Sequence, residues 1–360
     1  MDAQTCNSKK VYEDLMKILK IIGSPYVSKQ DLISIDGQEI ARLYALAKKN
    51  KVGLLFLESV NKIFPEINLD HELVYQRLLR EDQWITIEKS VGLLKQTRND
   101  FVLIKTITDF PYVASDVDVL IMGDEKAYST AVNLLLKSGF VQVEHAKLQN
   151  CFHDSTRAVH VAIGKKDVYD VDLYQEMSAS YLVYLDKRFF DPMVESKRID
   201  HLDLPVLKPE AELLLVIFHS IFPEQLYTLY HYYTILFLLS HMDWHSLKRF
   251  VEFAKEQHAL YPVRLALKIT ASLHYASHGL IPSVIYNILD ILNVRYELTD
   301  SLLFMPYRYK VAEVFFTLWF KLYDGLFRES VKKQVRAMFI PSYLDYVIRV
   351  AVDRRVRETY

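Results

Sequence analysis

At 360 residues, 51% of them apolar, the chain is long enough to bury a sizeable core and to divide into two or three domains. A formal net charge of −1 excludes attraction of nucleic acid by the overall field, so such a partner would need a local basic patch. The two cysteines, Cys6 and Cys151, lie far apart and fit neither a disulfide framework nor a cysteine metal motif, which points to a reducing interior.

The N-terminal MDAQTCNSKKVYED carries no hydrophobic leader. Apolar residues at helical spacing, Val11, Leu15, Ile18, Leu19 and Ile22, predict a first helix that Gly23-Ser24-Pro25 ends. Helices over 40–49 and 53–63 follow, the second stopped by Pro65, and then a long one over 70–97 with a charged outer face. FVLIKTITDFPYVASDVDVLIM at 101–122 reads as an apolar strand, a loop carrying Pro111 and a second apolar strand. A helix over 124–138 comes next, capped by Asp124, closed by Gly139 and buried along Ala127, Ala131, Leu134 and Leu135. Segments 140–144, 158–163 and 168–173 read as strands, with 164–167 as a hairpin turn.

From Pro209 the pattern is helical almost to the end, with Glu210 and Glu212 in a first turn whose dipole favours acids. The most apolar stretch, 213–242, is broken by His219, Pro223, Glu224 and His231, so it reads as two buried helices and not as a bilayer span. Asp243 reads as the N-cap of a helix from Trp244, which separates His241 and His245 of HMDWH and disfavours a zinc site there. The last segment carries Arg328, Lys332, Lys333, Arg336, Arg349, Arg354, Arg355 and Arg357, a basic surface for RNA or a protein partner if it is not simply a solvated helix face. Only nine glycines in the chain imply few tight turns and long helices. The expectation is an α+β protein: helical N-terminal region 1–98, α/β core 99–207 with a small mixed sheet, and helical C-terminal domain 208–360. It is expected to be cytoplasmic, with no membrane partner.

The chemistry concentrates on the second strand of the central pair. Strand residues alternate between faces, so Asp116 and Asp118 point one way while Val117 and Val119 point into the core. Two carboxylates held side by side repel, a cost that a cation relieves, and a divalent-metal site on a sheet edge or rim is expected. A third carboxylate would come from Asp170 or Asp172, which share a face of a later strand. Such a group of acids suits metal-assisted phosphoryl or nucleotidyl transfer.

The run SDVDVLI, after an apolar strand and before a helix, resembles the D-x-D signature of the DNA polymerase beta-like nucleotidyltransferase superfamily. More narrowly, LIKT at 103–106, DVDVLI at 116–121, SGF at 138–140 and VDLY at 171–174 resemble an uncharacterised nucleotidyltransferase family, over roughly residues 40–260. The resemblance implies a nucleotidyltransferase-type sheet. It also implies Mg²⁺ or Mn²⁺ as cofactor, and transfer of a nucleoside monophosphate from an NTP such as ATP to a small-molecule, protein or RNA hydroxyl. By position, Asp116, Asp118 and Asp172 would be the catalytic metal ligands, with Lys105, Thr106, Ser115 and His219 on the nucleotide side. The chain departs from the pattern at Lys105-Thr106, where a glycine and a small hydroxyl residue are expected, and at Tyr174, where a histidine is expected. Those departures keep open the alternative of a catalytically degenerate nucleotide-binding or partner-regulating protein.

Overall fold

The structure is a computed structural model and describes residues 3–27, 35–146, 148–155, 170–179, 182–294 and 304–325. Helices α1 (Ala3–Ile22), α2 (Gly37–Lys49), α3 (Gly53–Ile63) and α4 (Asp70–Gln96) lead into strands β1 (Phe101–Leu103) and β2 (Asp116–Ile121). Helix α5 (Glu125–Lys137) is followed by β3 (Phe140–Ala146), β4 (Gln149–Asp154), β5 (Asp170–Tyr174), β6 (Met177–Ala179), β7 (Leu182–Leu185), β8 (Val194–Ile199) and β9 (Leu202–Leu207). The remainder is α6 (Pro209–Ile221), β10 (Leu226–Tyr227), α7 (Leu229–Ser240), α8 (Trp244–Glu256), α9 (Leu260–His278), α10 (Ser283–Ile291), β11 (Tyr307–Arg308) and α11 (Val311–Gly325). The expected strand at 158–163, the turn at 164–167 and the basic segment from Arg328 lie outside the described residues.

The described residues fall into two compact units. One gathers those within Met1–Glu81, Thr108–Ala114 and Pro209–Val311; the other gathers those within Asp82–Ile107, Ser115–Lys208 and Ala312–Tyr360. The chain is thus α+β, and the second unit is built on a seven-stranded mixed sheet of order β3-β4-β5-β2-β1-β9-β8. β2 runs antiparallel to β1 and parallel to β5, so β2 and β5 are interior strands, and of the expected edge or rim position the edge strand is excluded. The sheet exceeds the expectation because β4, β8 and β9 join it.

The alternation along the strands divides the sheet's faces. Val117, Val119 and Ile121 of β2 pack with Val171 and Leu173 of β5, with Ile87, Val91 and Leu94 of α4, and with Ala127, Ala131 and Leu135 of α5. Each large side chain buried there contributes roughly 1.5–3 kcal/mol, which fixes the register that turns the intervening acids to the other face. Asp124 caps α5, its carboxylate accepting from the Ala127 amide at 2.9 Å, and Gly139 leaves the helix at φ +89°, as the sequence predicts. Lys187 is buried and donates to the carbonyls of Ile121 (3.1 Å), Gly123 (2.7 Å) and Gln175 (2.7 Å), tying the ends of β2 and β5 to the short helical turn it occupies.

The first unit is helical. α6 is buried nearly all round, as a core helix must be when it is apolar on every side. Its first-turn Glu210 is buried rather than solvated, and pairs with Arg249 of α8 at 2.8 Å. Asp243 caps α8 as expected, accepting from the Ser246 amide at 2.8 Å. The loop residues 108–114 belong to this unit, where Phe110 packs against Tyr233 and Phe237 and Tyr112 stacks on Tyr230 at 4.5 Å. Among the described residues no helix is long and apolar enough to cross a membrane.

Candidate metal centre

The parallel pairing of β2 and β5 sets Asp116 opposite Asp170 and Asp118 opposite Asp172. Neighbouring strands are about 4.8 Å apart, so same-face side chains at paired positions reach one another. Asp116, Asp118 and Asp172 each bring a carboxylate oxygen to within 4.8 Å of the other two. Asp170 lies outside that group, with Nδ1 of His153 donating to its Oδ1 at 2.9 Å; of the two candidates for the third acid, Asp172 is the one that joins the cluster.

The three charges disturb one another. Burial, then Asp118 and Asp172, push the Asp116 carboxyl up to about 8, against the smaller pull of Lys105 and a hydrogen bond from Ser115. Burial and Asp118 push Asp172 up to about 6, opposed by hydrogen bonds from Cys151 and Gln149 and by Lys105. Asp118 itself is 5% exposed. The acids crowd because the apolar face beneath leaves the strands no other register.

Lys105 enters this cluster directly. Its ammonium lies 3.1 Å from Oδ1 of Asp118 and 5.5 Å from the centre of the Tyr174 ring, and its side chain is only 9% exposed. Burial alone would lower the Lys105 ammonium, but Asp118, Tyr184 and Asp116 outweigh it and hold it protonated. The backbone bends left-handed at Lys105 (φ +57°), a conformation that costs a side-chain-bearing residue about 1–2 kcal/mol. Thr106 does not present its hydroxyl outward: it is buried, donates to the Ile104 carbonyl and accepts from the Asp118 amide, both at 3.0 Å. Ser115 is exposed beside Asp116.

His219 lies in the helical unit, with Nδ1 3.4 Å from Oε1 of Glu224. His241 forms the C-cap of α7 with its ring 3.6 Å from Asp109, so HMDWH is two helix ends and no histidine pair. Sequence reasoning missed β4. Its Gln149 donates from Nε2 to Oδ2 of Asp172 at 2.8 Å, and Cys151, opposite Asp172 in the ladder, hydrogen-bonds the same carboxylate. The signal was the alternation of QNCFHD around the fully buried Phe152.

The donor set fits a hard divalent cation. All three side chains offer carboxylate oxygens, which suit Mg²⁺ or Mn²⁺ and not a thiophilic metal. Three formal negative charges against one from Lys105 leave −2, which one divalent ion neutralises. No protein-family model matches the chain, and no curated protein matches it. Function therefore rests on the chemistry of the site.

Proposed function

We propose that the chain is a metal-dependent nucleotidyltransferase, moving a nucleoside monophosphate from an NTP to an acceptor hydroxyl on a small molecule, a protein or an RNA end. The observation that carries this reading is the meeting of Asp116, Asp118 and Asp172 from two parallel strands, in an Asp-x-Asp plus later-strand arrangement. Bound Mg²⁺ or Mn²⁺ supplies charge stabilisation for the triphosphate and lowers the pKa of an attacking hydroxyl. The chain's own residues do the rest. The three acids hold the ion, Lys105 offsets the charge of Asp118 so that a polyphosphate meets less repulsion, and Thr106 fixes the Asp118 backbone. Incubation with α-labelled NTPs, Mg²⁺ or Mn²⁺ and cell extract tests this: label passes to an acceptor with wild type and not with Asp118→Ala. Equal labelling by both, or none by either, contradicts it.

A second reading has its own support. Lys105 already pairs with Asp118, and the Thr106 hydroxyl is engaged with backbone, which favours a catalytically degenerate nucleotide-binding or partner-regulating protein of the same architecture. Titration calorimetry with ATP and Mg²⁺ separates the two: binding without turnover of any acceptor supports the second.

A further inference from the structure

The acids of β5 have β2 on one side and β4 on the other. On the β2 side Asp172 meets the like charges of Asp116 and Asp118. On the β4 side it meets donors. β4 runs antiparallel to β5, with Gln149 opposite Tyr174, Cys151 opposite Asp172 and His153 opposite Asp170. Residues 149, 151 and 153 share one face of the strand, while Phe152 goes into the core on the other. Gln149 Nε2 donates to Asp172 at 2.8 Å and His153 Nδ1 to Asp170 at 2.9 Å, while Cys151 stands directly opposite Asp172 in the ladder and, as a thiol donor, works to lower that carboxyl.

We infer that Gln149 and Cys151 are positioning residues, which hold the Asp172 carboxylate in the orientation that completes the three-acid centre. The inference rests on the metal-centre reading above. A carboxylate next to two others is driven to rotate away from them, and donors on the opposite strand oppose that rotation. Partners that orient a ligating carboxylate in this way typically carry 10–100-fold in metal affinity. Gln149 supplies a charge-free donor with two N–H groups, so it steadies Asp172 without adding a second cation beside Lys105.

The test is Mn²⁺ uptake by the full chain, read from the electron paramagnetic resonance of free Mn²⁺ and paired with metal-free melting temperatures. Gln149→Leu and Cys151→Ala each weaken Mn²⁺ binding, Gln149→Leu by about 10–100-fold. Cys151→Ser, which keeps a donor, restores most of the affinity that Cys151→Ala loses, while melting temperatures stay near wild type. The inference is overturned if Gln149→Leu and Cys151→Ala bind Mn²⁺ as tightly as wild type while Asp172→Asn does not. It is also overturned if Cys151→Ser is as weak as Cys151→Ala. Should Gln149→Leu fail to fold, the Cys151 pair still decides. A wild type that takes up no Mn²⁺ removes the metal-centre reading itself, and the inference with it.

Discussion

Both units of the molecule bury charge, and they balance it in opposite ways. In the helical unit one acid, Glu224, is ringed by Lys51 at 2.8 Å, His219 at 3.4 Å and His231 at 3.7 Å. Burial works to raise the Glu224 carboxyl, but these neighbours outweigh it and hold it well below the ordinary carboxylate range. His231 is fixed in one tautomer: its Nδ1 accepts from the Thr228 amide at 3.0 Å, which leaves the proton on Nε2, facing Glu224. In the sheet unit three acids share one lysine, and two of them are pushed up instead. The first cluster is complete in itself and reads as structure. The second has a surplus of negative charge, and it is to this surplus that the proposed reading assigns a cation.

The largest effect expected from that contrast is at the balanced cluster. Glu224→Ala leaves Lys51 and two histidines facing one another in a mostly buried place, and is expected to cost about 3–5 kcal/mol in urea unfolding. A loss under 1 kcal/mol would show that the cluster is not the self-sufficient unit described here. Lys105→Met comes next. It removes the cation that pairs with Asp118, so metal-free stability at pH 8 falls, by ~3 kcal/mol, while Mn²⁺ binds more tightly because its competitor for Asp118 is gone. Weaker Mn²⁺ binding in this variant would instead make Lys105 part of the ligand-holding machinery.

A third effect carries the sign of the comparison. Asp116 titrates near 8 in the folded chain against an ordinary 3.8, and Asp172 near 6. Between those pH values the folded protein retains protons that the unfolded chain has released. The stability these groups contribute is therefore full below about pH 4 and lost as the pH rises towards 8. Asp116→Asn flattens this slope and raises metal-free stability at pH 8. Differential scanning calorimetry of wild type and variant at pH 5 and pH 8 measures it; an Asn variant less stable than wild type at pH 8 would mean that the acids are already neutralised.

How much of this was legible in the sequence follows from the range of each interaction. The acid pair on β2, the α5 cap at Asp124 and the α8 cap at Asp243 depend on neighbours within a few residues, so spacing alone reveals them. β4 was missed because QNCFHD has one large apolar residue among polar ones, and its alternation gains meaning only from partners distant in sequence: Gln149 and His153 on acids of β5, Asp154 on Lys89 of α4. Lys187 sits in DKRF, which reads as a charged turn; only the folded chain shows three carbonyls converging on its ammonium. Lys105 was expected to face a triphosphate. The folded chain adds its left-handed backbone, which no sequence rule assigns to a lysine, and its pairing with Asp118. His219 was read as a candidate on the nucleotide side, yet its nearest acid is Glu224, five residues along its own chain segment.

The central claim is that the three acids form an unbalanced group that takes a divalent ion. Titration of metal-free protein with Mn²⁺ at pH 7.5, for wild type and for Asp116→Asn, Asp118→Asn and Asp172→Asn, tests it most directly. The expected result is saturable uptake by wild type, with a rise in melting temperature, and a loss of both in each variant. Uptake that survives all three substitutions, or a wild type indifferent to Mn²⁺, would contradict it.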